Sequence, residues 1–312
     1  MDHRGIAVVG SLNHDVRLSV HRLPHSGETI TSDALHRSPG GKGANQAAAS
    51  ARLGRAVAMI GAVGDDDAGR DITHRLAREG VGTTGIDVVD DSTGMAVVLW
   101  ERPESTIIIA PGANAWVTGD RVQAHAEEIR QAGAVLCQLE TPLSALGAVA
   151  DLAAGITLLN PAPSAGVPLD LLRRFDVVVP NRFELAALAG AREAPRSVAE
   201  VRAMAESLGH PAVVVTLGAD GCLVVQRNQS AAHKSSAAVH VRSVDVRAVD
   251  TTGAGDSFCA GLADALLDGV DLADAARWAT QVAAATTTRD GALDSLPARA
   301  ELPSPTHIRS RT

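Results

Sequence analysis

Short apolar runs rich in β-branched residues alternate along the chain with longer stretches whose apolar positions recur at helical spacing. The predicted strands are Ile6–Gly10, Val57–Ile60, Val135–Gln138, Ile156–Leu159, Val177–Val179 and Val213–Leu217. The predicted helices are Ala44–Leu53, Asp67–Arg78, Asp120–Gln131, Leu143–Leu152, Asn181–Leu188, Val198–Leu208, Ala254–Leu267 and Leu272–Thr287. This alternation is typical of βαβ units. It predicts an α/β fold with a doubly wound, mostly parallel sheet flanked by helices.

Two regions break the alternation by pairing strands with no helix between them. They are roughly Asp15–Arg37, and Gly94–Ala110 with a turn at Arg102-Pro103-Glu104. Such pairs are typical of hairpins. We predict a small antiparallel sheet built from both, lying beside the main sheet as a lid; extra edge strands on the main sheet are the alternative. The expected organisation is a single domain over 1–312 with a lid subdomain from about 13–37 and 94–110.

Composition limits the classes of partner. The 312 residues are 46% hydrophobic, enough for one large domain, and the net charge of −8 argues against a nucleic-acid partner. No run of about 18 apolar residues predicts a membrane span, and no secretory leader is visible, so a cytoplasmic location is expected. The three cysteines lack metal-site spacing and are interpreted as reduced core residues. Small molecules are the favoured partners.

The first candidate site is the segment Gly40-Gly41-Lys42-Gly43-Ala44-Asn45, which opens a predicted helix. Glycines let a backbone approach a ligand closely, and a helix N-terminus presents unpaired N–H groups. Lys42 is one of only two lysines in the chain, so this position favours a compact ammonium group. A flexible loop before a helix is the structural alternative. A Walker A loop is excluded, because glycine follows the lysine.

The second candidate is Asp250-Thr251-Thr252-Gly253-Ala254-Gly255-Asp256, between a predicted strand Val244–Val249 and an apolar helix. Successive amides of the Gly-Ala-Gly turn can bind an anion. Asp256 falls in the first turn of the helix, where it can act as a base. It can also be a simple helix cap, although a cap does not need the surrounding glycines.

Two weaker candidates follow predicted strands. Asn13 and Asp15 share one face after the first strand and can bind adjacent hydroxyls, although Asn-x-Asp also describes a turn. Asn181 and Glu184 share a helix face suited to a hydrated Mg²⁺, or form a capping box.

Other catalytic signatures are missing or misplaced. There is no HExxH, GxSxG or early GxGxxG motif. Gly255-Asp256-Ser257 is similar to the nucleophile segment of some serine esterases, but it comes late in the chain and only His307 follows it.

Taken together, these residues resemble the ribokinase family of carbohydrate kinases (phosphofructokinase-B type) along nearly the whole chain. The GGKGAN run and the DTTGAGDSF run at 250–258 look like the two family signatures, in the right order and separation. Further similar segments are Gly10-Ser11-Leu12-Asn13 with Asp15, Pro111–Ala115, Gln138-Leu139-Glu140, Leu159–Pro163 and Pro180-Asn181 with Glu184. The resemblance implies the fold predicted above and a homodimer formed through the β lid.

The resemblance also implies roles for individual residues. The sugar would be bound by Asn13, Asp15, Gly41, Lys42, Gly43, Asn45 and Glu140, with Asp256 as the base and Gly253, Ala254 and Gly255 as the anion hole. ATP and Mg²⁺ would be bound by Asn181, Glu184, Thr216, Gly218, Gly221, Gly253, Gly255 and Thr280. An activating K⁺ would lie between Asp250 with Thr252 and a second wall of Thr286, Arg289, Gly291 and Ser295. Thr280 and Asp290 differ from the residues that are common at their positions in this family.

The resulting hypothesis is an ATP-dependent sugar kinase that phosphorylates D-ribose to D-ribose 5-phosphate. A kinase for deoxyribose, fructose or a nucleoside such as adenosine is the alternative within the class. A sugar-binding protein without catalysis is the alternative outside it, although a binder would not need a base facing an anion hole.

Overall fold

The computed structural model describes residues 5–101, 104–164, 166–227 and 236–303. Its strands are β1 Ile6–Val9, β2 Asn13–Ser19, β3 Ala34–Gly40, β4 Val57–Gly64, β5 Val81–Val89, β6 Gly94–Glu101, β7 Glu104–Ala110, β8 Ala134–Gln138, β9 Ile156–Asn160, β10 Val177–Val178, β11 Ala212–Thr216, β12 Cys222–Arg227 and β13 Ser236–Val241. Its helices are α1 Lys42–Arg52, α2 Asp67–Arg78, α3 Gly119–Ala124, α4 Ala126–Gln131, α5 Leu143–Leu152, α6 Leu169–Leu172, α7 Arg182–Leu188, α8 Val198–Ser207, α9 Ala254–Leu267 and α10 Leu272–Thr286.

The large sheet is doubly wound, as predicted. Its order is β13-β12-β11-β10-β9-β8-β1-β4-β5, parallel except where β12 pairs with β11 and β13. Alternate side chains of each strand enter opposite apolar layers, because side chains of a strand point to alternate faces. Ile6 and Val8 pack in the layer of α1, α2, α9 and α10, whereas Ala7 and Val9 pack in the layer of α5 and α8. The fold class is confirmed.

The small sheet has the order β3-β2-β6-β7. It consists of two antiparallel pairs, as predicted, and the two pairs join through a parallel pairing of β2 with β6. Asn13 and Gly94 are partners in that pairing, so β2 and β6 run side by side from the cleft. The strands are therefore a separate sheet and not edge strands of the large one. Arg102 and Pro103 of the predicted turn lie outside the described residues.

Some element predictions were incomplete or wrong. The strands β5, β12 and β13 were not predicted, and the helix predicted over Asp120–Gln131 is interrupted at His125 between α3 and α4. Val244–Val249 is not a strand: none of the described strands pairs with this segment, and its valines are exposed. The second candidate segment therefore follows an extended loop.

Two further expectations concern burial. Cys137, Cys222 and Cys259 are buried and free of disulfides, as predicted. Among the described helices, none has the length and apolar character needed to cross a membrane.

Candidate active site

A polar cavity of about 210 Å³ opens where the carboxyl ends of the central strands meet the first turns of α1, α7 and α9. Such crevices are where open α/β sheets bind ligands. The cavity is lined by Lys42, Asn160, Val179, Asn181, Glu184, Thr216, Thr251, Gly253, Gly255, Asp256 and Cys259. The structure thus brings the glycine-lysine segment, the Gly-Ala-Gly turn and the Asn181–Glu184 pair to one cleft.

The glycines of the first segment are required by packing against the chain at 10–15. A Cβ at Gly41, whose φ is 94°, would lie 2.7 Å from the backbone N of Asn13, and one at Gly40 would lie 2.0 Å from Asp15 Oδ2. A Cβ at Gly43 would lie 2.7 Å from the backbone of Ser11. The sequence interpretation assigned these glycines to close approach of a ligand. The structure adds a second reason for them, because they let α1 begin against β2.

Asp256 lies in the first turn of α9 and is 7% exposed. Gly253 precedes the helix with φ 77°, a left-handed conformation that favours glycine. The amides of a helix N-terminus lack intrahelical acceptors and favour negative charge. Asp256 accepts hydrogen bonds from Asn45 Nδ2 (2.8 Å) and Gln46 Nε2 (3.2 Å). Burial raises the pKa of Asp256, while Lys42 and the two amide donors oppose that rise.

Gln46 was not predicted as a site residue, although it directly follows the first signature. It is fully buried, and its Oε1 accepts a hydrogen bond from Gln138 Nε2 at 2.7 Å. This bond fixes which end of the Gln46 amide faces Asp256, so Gln46 can only donate to that carboxylate. A Cβ at Gly10 would lie 1.9 Å from Gln138 Oε1, so the glycine makes room for Gln138.

Lys42 is the cation at the centre of a group of carboxylates. Burial alone would lower the pKa of Lys42, but Asp256, Glu140 and Glu184 together raise it. The ammonium group therefore remains charged. Asp15 differs, because burial and the charges of Glu140 and Asp256 raise its pKa to about 7. Within the described chain no hydrogen bond reaches the Asp15 carboxylate.

Asn13 and Glu140 are oriented by neighbours that sequence reasoning did not assign. Glu140 Oε2 accepts from Ser11 Oγ at 2.5 Å and from Asn13 Nδ2 at 3.3 Å. Asn114 donates to Asn13 Oδ1 at 2.7 Å and accepts from the backbone N of Leu12 at 2.8 Å. Asn114 belongs to the Pro111–Ala115 segment of the resemblance, which was the available signal. These bonds hold Asn13 and Glu140 next to each other, although neither residue lines the 210 Å³ cavity.

Asn181 and Glu184 form a capping box at the start of α7, and they also line the cavity. Asn181 Oδ1 accepts from the backbone N of Glu184, and Glu184 Oε2 accepts from the backbone N of Asn181. Burial raises the pKa of Glu184, which lies within reach of the Lys42 charge. The capping-box alternative is confirmed. The oxygens of this pair, with that of Asn160, are of the kind Mg²⁺ prefers, so these residues fit that ion.

Of the other residues expected at the nucleotide end, Thr216 lines the cavity and Gly218 and Gly221 form the turn after β11, with φ of 63° and 88°. A Cβ at Gly221 would lie 2.0 Å from the carbonyl oxygen of Val241. The structure does not bring Thr280 into the cavity. That side chain is 5% exposed, and its hydroxyl donates to the carbonyl of Ala276 within α10.

Of the six residues expected to hold K⁺, Asp250, Thr252 and Gly291 are joined by hydrogen bonds. Asp250 Oδ1 accepts from the N and Oγ1 of Thr252, and its Oδ2 accepts from the N of Gly291 at 3.1 Å. The hydroxyls of Thr286 and Ser295 are buried and donate within the protein. Arg289 forms an ion pair with Glu301 at 2.8 Å.

Asp250 is the one carboxylate among these six residues, and it already has a cationic partner. Arg17 Nη1 lies 3.1 Å from Asp250 Oδ2. A monovalent cation therefore fits this group of side chains only if it displaces Arg17 from Asp250 or shares the Asp250 carboxylate with Arg17. Sequence reasoning did not identify Arg17 as a site residue.

Comparison with known proteins gives consistent results. The pfkB family carbohydrate kinase profile matches residues 3–299. A ribokinase from Haemophilus influenzae is 36% identical over 95% of this chain and 96% of its own length. A deoxyribokinase from Salmonella typhi is 33% identical over 94% of this chain and 95% of its own. The structure of Arabidopsis thaliana ribokinase with ribose and ATP superposes with a TM-score of 0.82 at 31% identity, covering 99% of each chain.

The fold and the site define an ATP-dependent sugar kinase. The chain belongs to the pfkB family of carbohydrate kinases.

Proposed function

We propose that this enzyme transfers the γ-phosphate of ATP to a hydroxyl of D-ribose and forms D-ribose 5-phosphate. The observation that carries the proposal is the Asp256 carboxylate, held at the head of α9 in a cavity that it shares with Lys42 and Glu184. Relatives named ribokinase support ribose as the acceptor. The chain acts as one kinase domain, with the lid built from about 13–37 and 94–110.

At the sugar end, the proposed binding residues are Asn13, Asp15, Gly41, Lys42, Gly43, Asn45 and Glu140. Asn45 Oδ1 and the Asp15 carboxylate support this assignment. Asn45 Oδ1 is buried without a hydrogen-bond partner in the described chain, and Asp15 accepts no hydrogen bond there. Buried polar groups normally have partners, so both oxygens are suited to sugar hydroxyls.

Asp256 is the proposed base. Its carboxylate takes the proton from the sugar hydroxyl as the phosphoryl group transfers, a reaction in which positioning and charge stabilisation supply most of the catalysis. Asn45 and Gln46 hold the carboxylate and favour its ionised form. The turn amides at Gly253 and Gly255, with the helix N-terminus, stabilise negative charge on the phosphoryl oxygens. The N–H of Ala254, also expected in the anion hole, donates instead to the carbonyl of Thr251.

At the nucleotide end, Asn181, Glu184, Thr216, Gly218 and Gly221 are the proposed binding residues. Asn181 and Glu184 would hold Mg²⁺, which when bound neutralises charge on the phosphates. Lys42 adds the ammonium group that attracts them. Thr280 is left out of the proposed nucleotide-binding residues, because its side chain does not line the cavity and its hydroxyl hydrogen is donated within α10.

Three expectations from the resemblance complete the proposal. The enzyme forms a homodimer through the lid, whose face opposite to Asn13 and Asp15 exposes Leu35, Met95 and Ile108, apolar residues of the kind that interfaces cover. It works in the cytoplasm, where ATP is made and thiols stay reduced. K⁺ binds beside Asp250, where it must displace Arg17 or share the carboxylate with it.

Deoxyribose is the second candidate acceptor, since a deoxyribokinase is also among the relatives. The Asn13 and Asp15 pair favours a vicinal diol and therefore ribose. A sugar-binding protein without catalysis would not need a base beside turn amides.

The test is direct measurement of ADP formed from ATP and Mg²⁺ with ribose, deoxyribose, fructose, adenosine or uridine. Ribose should give the highest kcat/KM. Asp256→Asn should lower kcat by roughly 100-fold to 10,000-fold, as loss of a general base does, while the Kd for ribose stays within a small factor. Turnover by Asp256→Asn at the wild-type rate would remove the proposed base. ADP formation with none of the five acceptors would favour the non-catalytic alternative.

A further inference from the structure

Arg17 connects the lid to the turn that carries the proposed base. It follows Asn13 and Asp15 at two-residue spacing on β2, so the three side chains share the face of the lid turned to the cleft. Its guanidinium lies 3.1 Å from Asp250 and 3.3 Å from Asp290. The pair with Asp250 is protected from solvent, since the two side chains are 19% and 10% exposed.

The Arg17 side chain is held in this position from the lid. The guanidinium lies 4.9 Å from the centroid of the Trp100 ring, on the neighbouring strand β6, and such stacking favours a fixed arginine over a mobile one. Asp290 is 64% exposed, so water screens its charge more than that of Asp250. Asp250 is therefore the stronger partner.

Asp250 in turn shapes the turn before Asp256. Its Oδ1 accepts hydrogen bonds from the N and Oγ1 of Thr252, and its backbone N donates to the carbonyl of Thr287. Its Oδ2 also holds Gly291. The charge state and position of this carboxylate are thus transmitted directly to the start of the Gly-Ala-Gly turn.

We propose that Arg17 is the resident counter-cation of Asp250, that it competes with a monovalent cation for this carboxylate, and that K⁺ therefore activates the enzyme only weakly. The inference rests on the proposed kinase activity for its rate measurements. Arg17 acts through Asp250 and the turn, so it is a positioning residue. Two cations beside one carboxylate repel each other, and the buried pair is poorly screened by solvent.

The expected consequence is that the Arg17→Leu variant depends on K⁺, whereas the wild type hardly does. With Arg17→Leu, Asp250 loses its counter-cation, and turnover in tetramethylammonium chloride should fall by at least about fivefold, in the range of ordinary site coupling. KCl at equal ionic strength should restore it. The turnover of the wild type should differ by less than about twofold between tetramethylammonium chloride and KCl. This is below the range in which two sites are appreciably coupled.

The matched control is Arg130→Leu, which removes the same charge from an exposed position on α4, outside the lid. It should keep the wild-type ratio of rates. Arg17→Lys should retain part of the turnover in tetramethylammonium, because it keeps a cation. ADP should be quantified chromatographically, so that no K⁺-requiring coupling enzyme enters the assay.

A second measurement does not need activity. The ligand-free proteins are heated in increasing KCl, with tetramethylammonium keeping ionic strength constant. Arg17→Leu should gain Tm with K⁺ at concentrations at least about fivefold below those needed by the wild type, because only the variant offers an unpaired Asp250.

A wild-type enzyme that is strongly K⁺-dependent, or a K⁺ response that is equal in wild type and Arg17→Leu, would overturn the proposal. If Arg17→Leu does not fold, Arg17→Lys and the wild-type salt comparison still decide it. Failure of the proposed function is recognised separately: no ADP would form with any acceptor, while the K⁺ dependence of Tm would still distinguish Arg17→Leu from the wild type.

Discussion

Replacing Asp15 by asparagine should make the ligand-free protein more stable above neutral pH. Burial and the neighbouring carboxylates Glu140 and Asp256 raise the pKa of Asp15 from 3.8 to about 7. Between pH 5 and 7 the folded state retains this proton while the unfolded chain has lost it. The stability that Asp15 contributes is therefore present at low pH and is lost as the pH rises through 7.

The magnitude follows from the width of that interval. One pKa unit corresponds to about 1.4 kcal/mol, so about two pH units give a loss of about 3 kcal/mol in the free energy of unfolding between pH 5 and pH 8. Asp15→Asn removes this loss. Because no hydrogen bond reaches the Asp15 carboxylate in the described chain, the amide replaces it without breaking a bond.

The assay is urea unfolding of ligand-free wild type and Asp15→Asn at pH 5, 6, 7 and 8. The difference in unfolding free energy should grow with pH in favour of the variant and approach 3 kcal/mol, and the Tm difference should reach about 5 °C or more. Asp71→Asn, on the exposed face of α2, is the control and should follow the wild type. Parallel pH curves for wild type and Asp15→Asn would refute the reasoning. The variant should also bind ribose more weakly.

Two further variants test the groups around Asp256. Gln46→Met removes a hydrogen-bond donor that opposes the raised pKa of Asp256. The acid limb of the plot of kcat/KM against pH should therefore move up by about one pH unit. An unshifted limb would contradict the positioning role of Gln46. Lys42→Met removes the ammonium group of the cavity, and KM for ATP or ribose should rise about tenfold or more, as for a charged hydrogen bond; unchanged KM values for both substrates would exclude Lys42 from binding.

The order of elements and the two glycine-rich segments could be predicted from the sequence because their signals are local. Apolar runs at strand length and helices between them determine the βαβ units, and the segments 40–45 and 250–256 follow as the starts of α1 and α9 with the residues just before them. β5 was harder to predict from the sequence, since its nine residues include two glycines and few apolar positions in alternation. Val244–Val249 has a strand-like composition but no partner strand.

The unpredicted site residues depend on contacts between distant parts of the chain. Gln46 and Gln138 are 92 positions apart, and Arg17 and Asp250 are 233 apart. No local periodicity relates such pairs. Their contact depends on β1 lying next to β8 and on the register of the lid over the turn before α9. The role of Gly40 and Gly41 was likewise visible only once β2 was seen to pass against them.

The charges of the cleft explain why one lysine is placed among several acids. Asp15, Glu184 and Asp256 all have raised pKa values, with burial as the largest cause, and the Lys42 charge opposes the rise at each. A cleft with this excess of carboxylates repels free ATP, whose phosphates are negative, but it is compatible with nucleotide whose charge Mg²⁺ has reduced. Burial, with a smaller contribution from the charge of Glu140, raises the pKa of Asp256. The proposed base therefore gains proton affinity from its burial, and the Lys42 charge with the amides of Asn45 and Gln46 limits that gain.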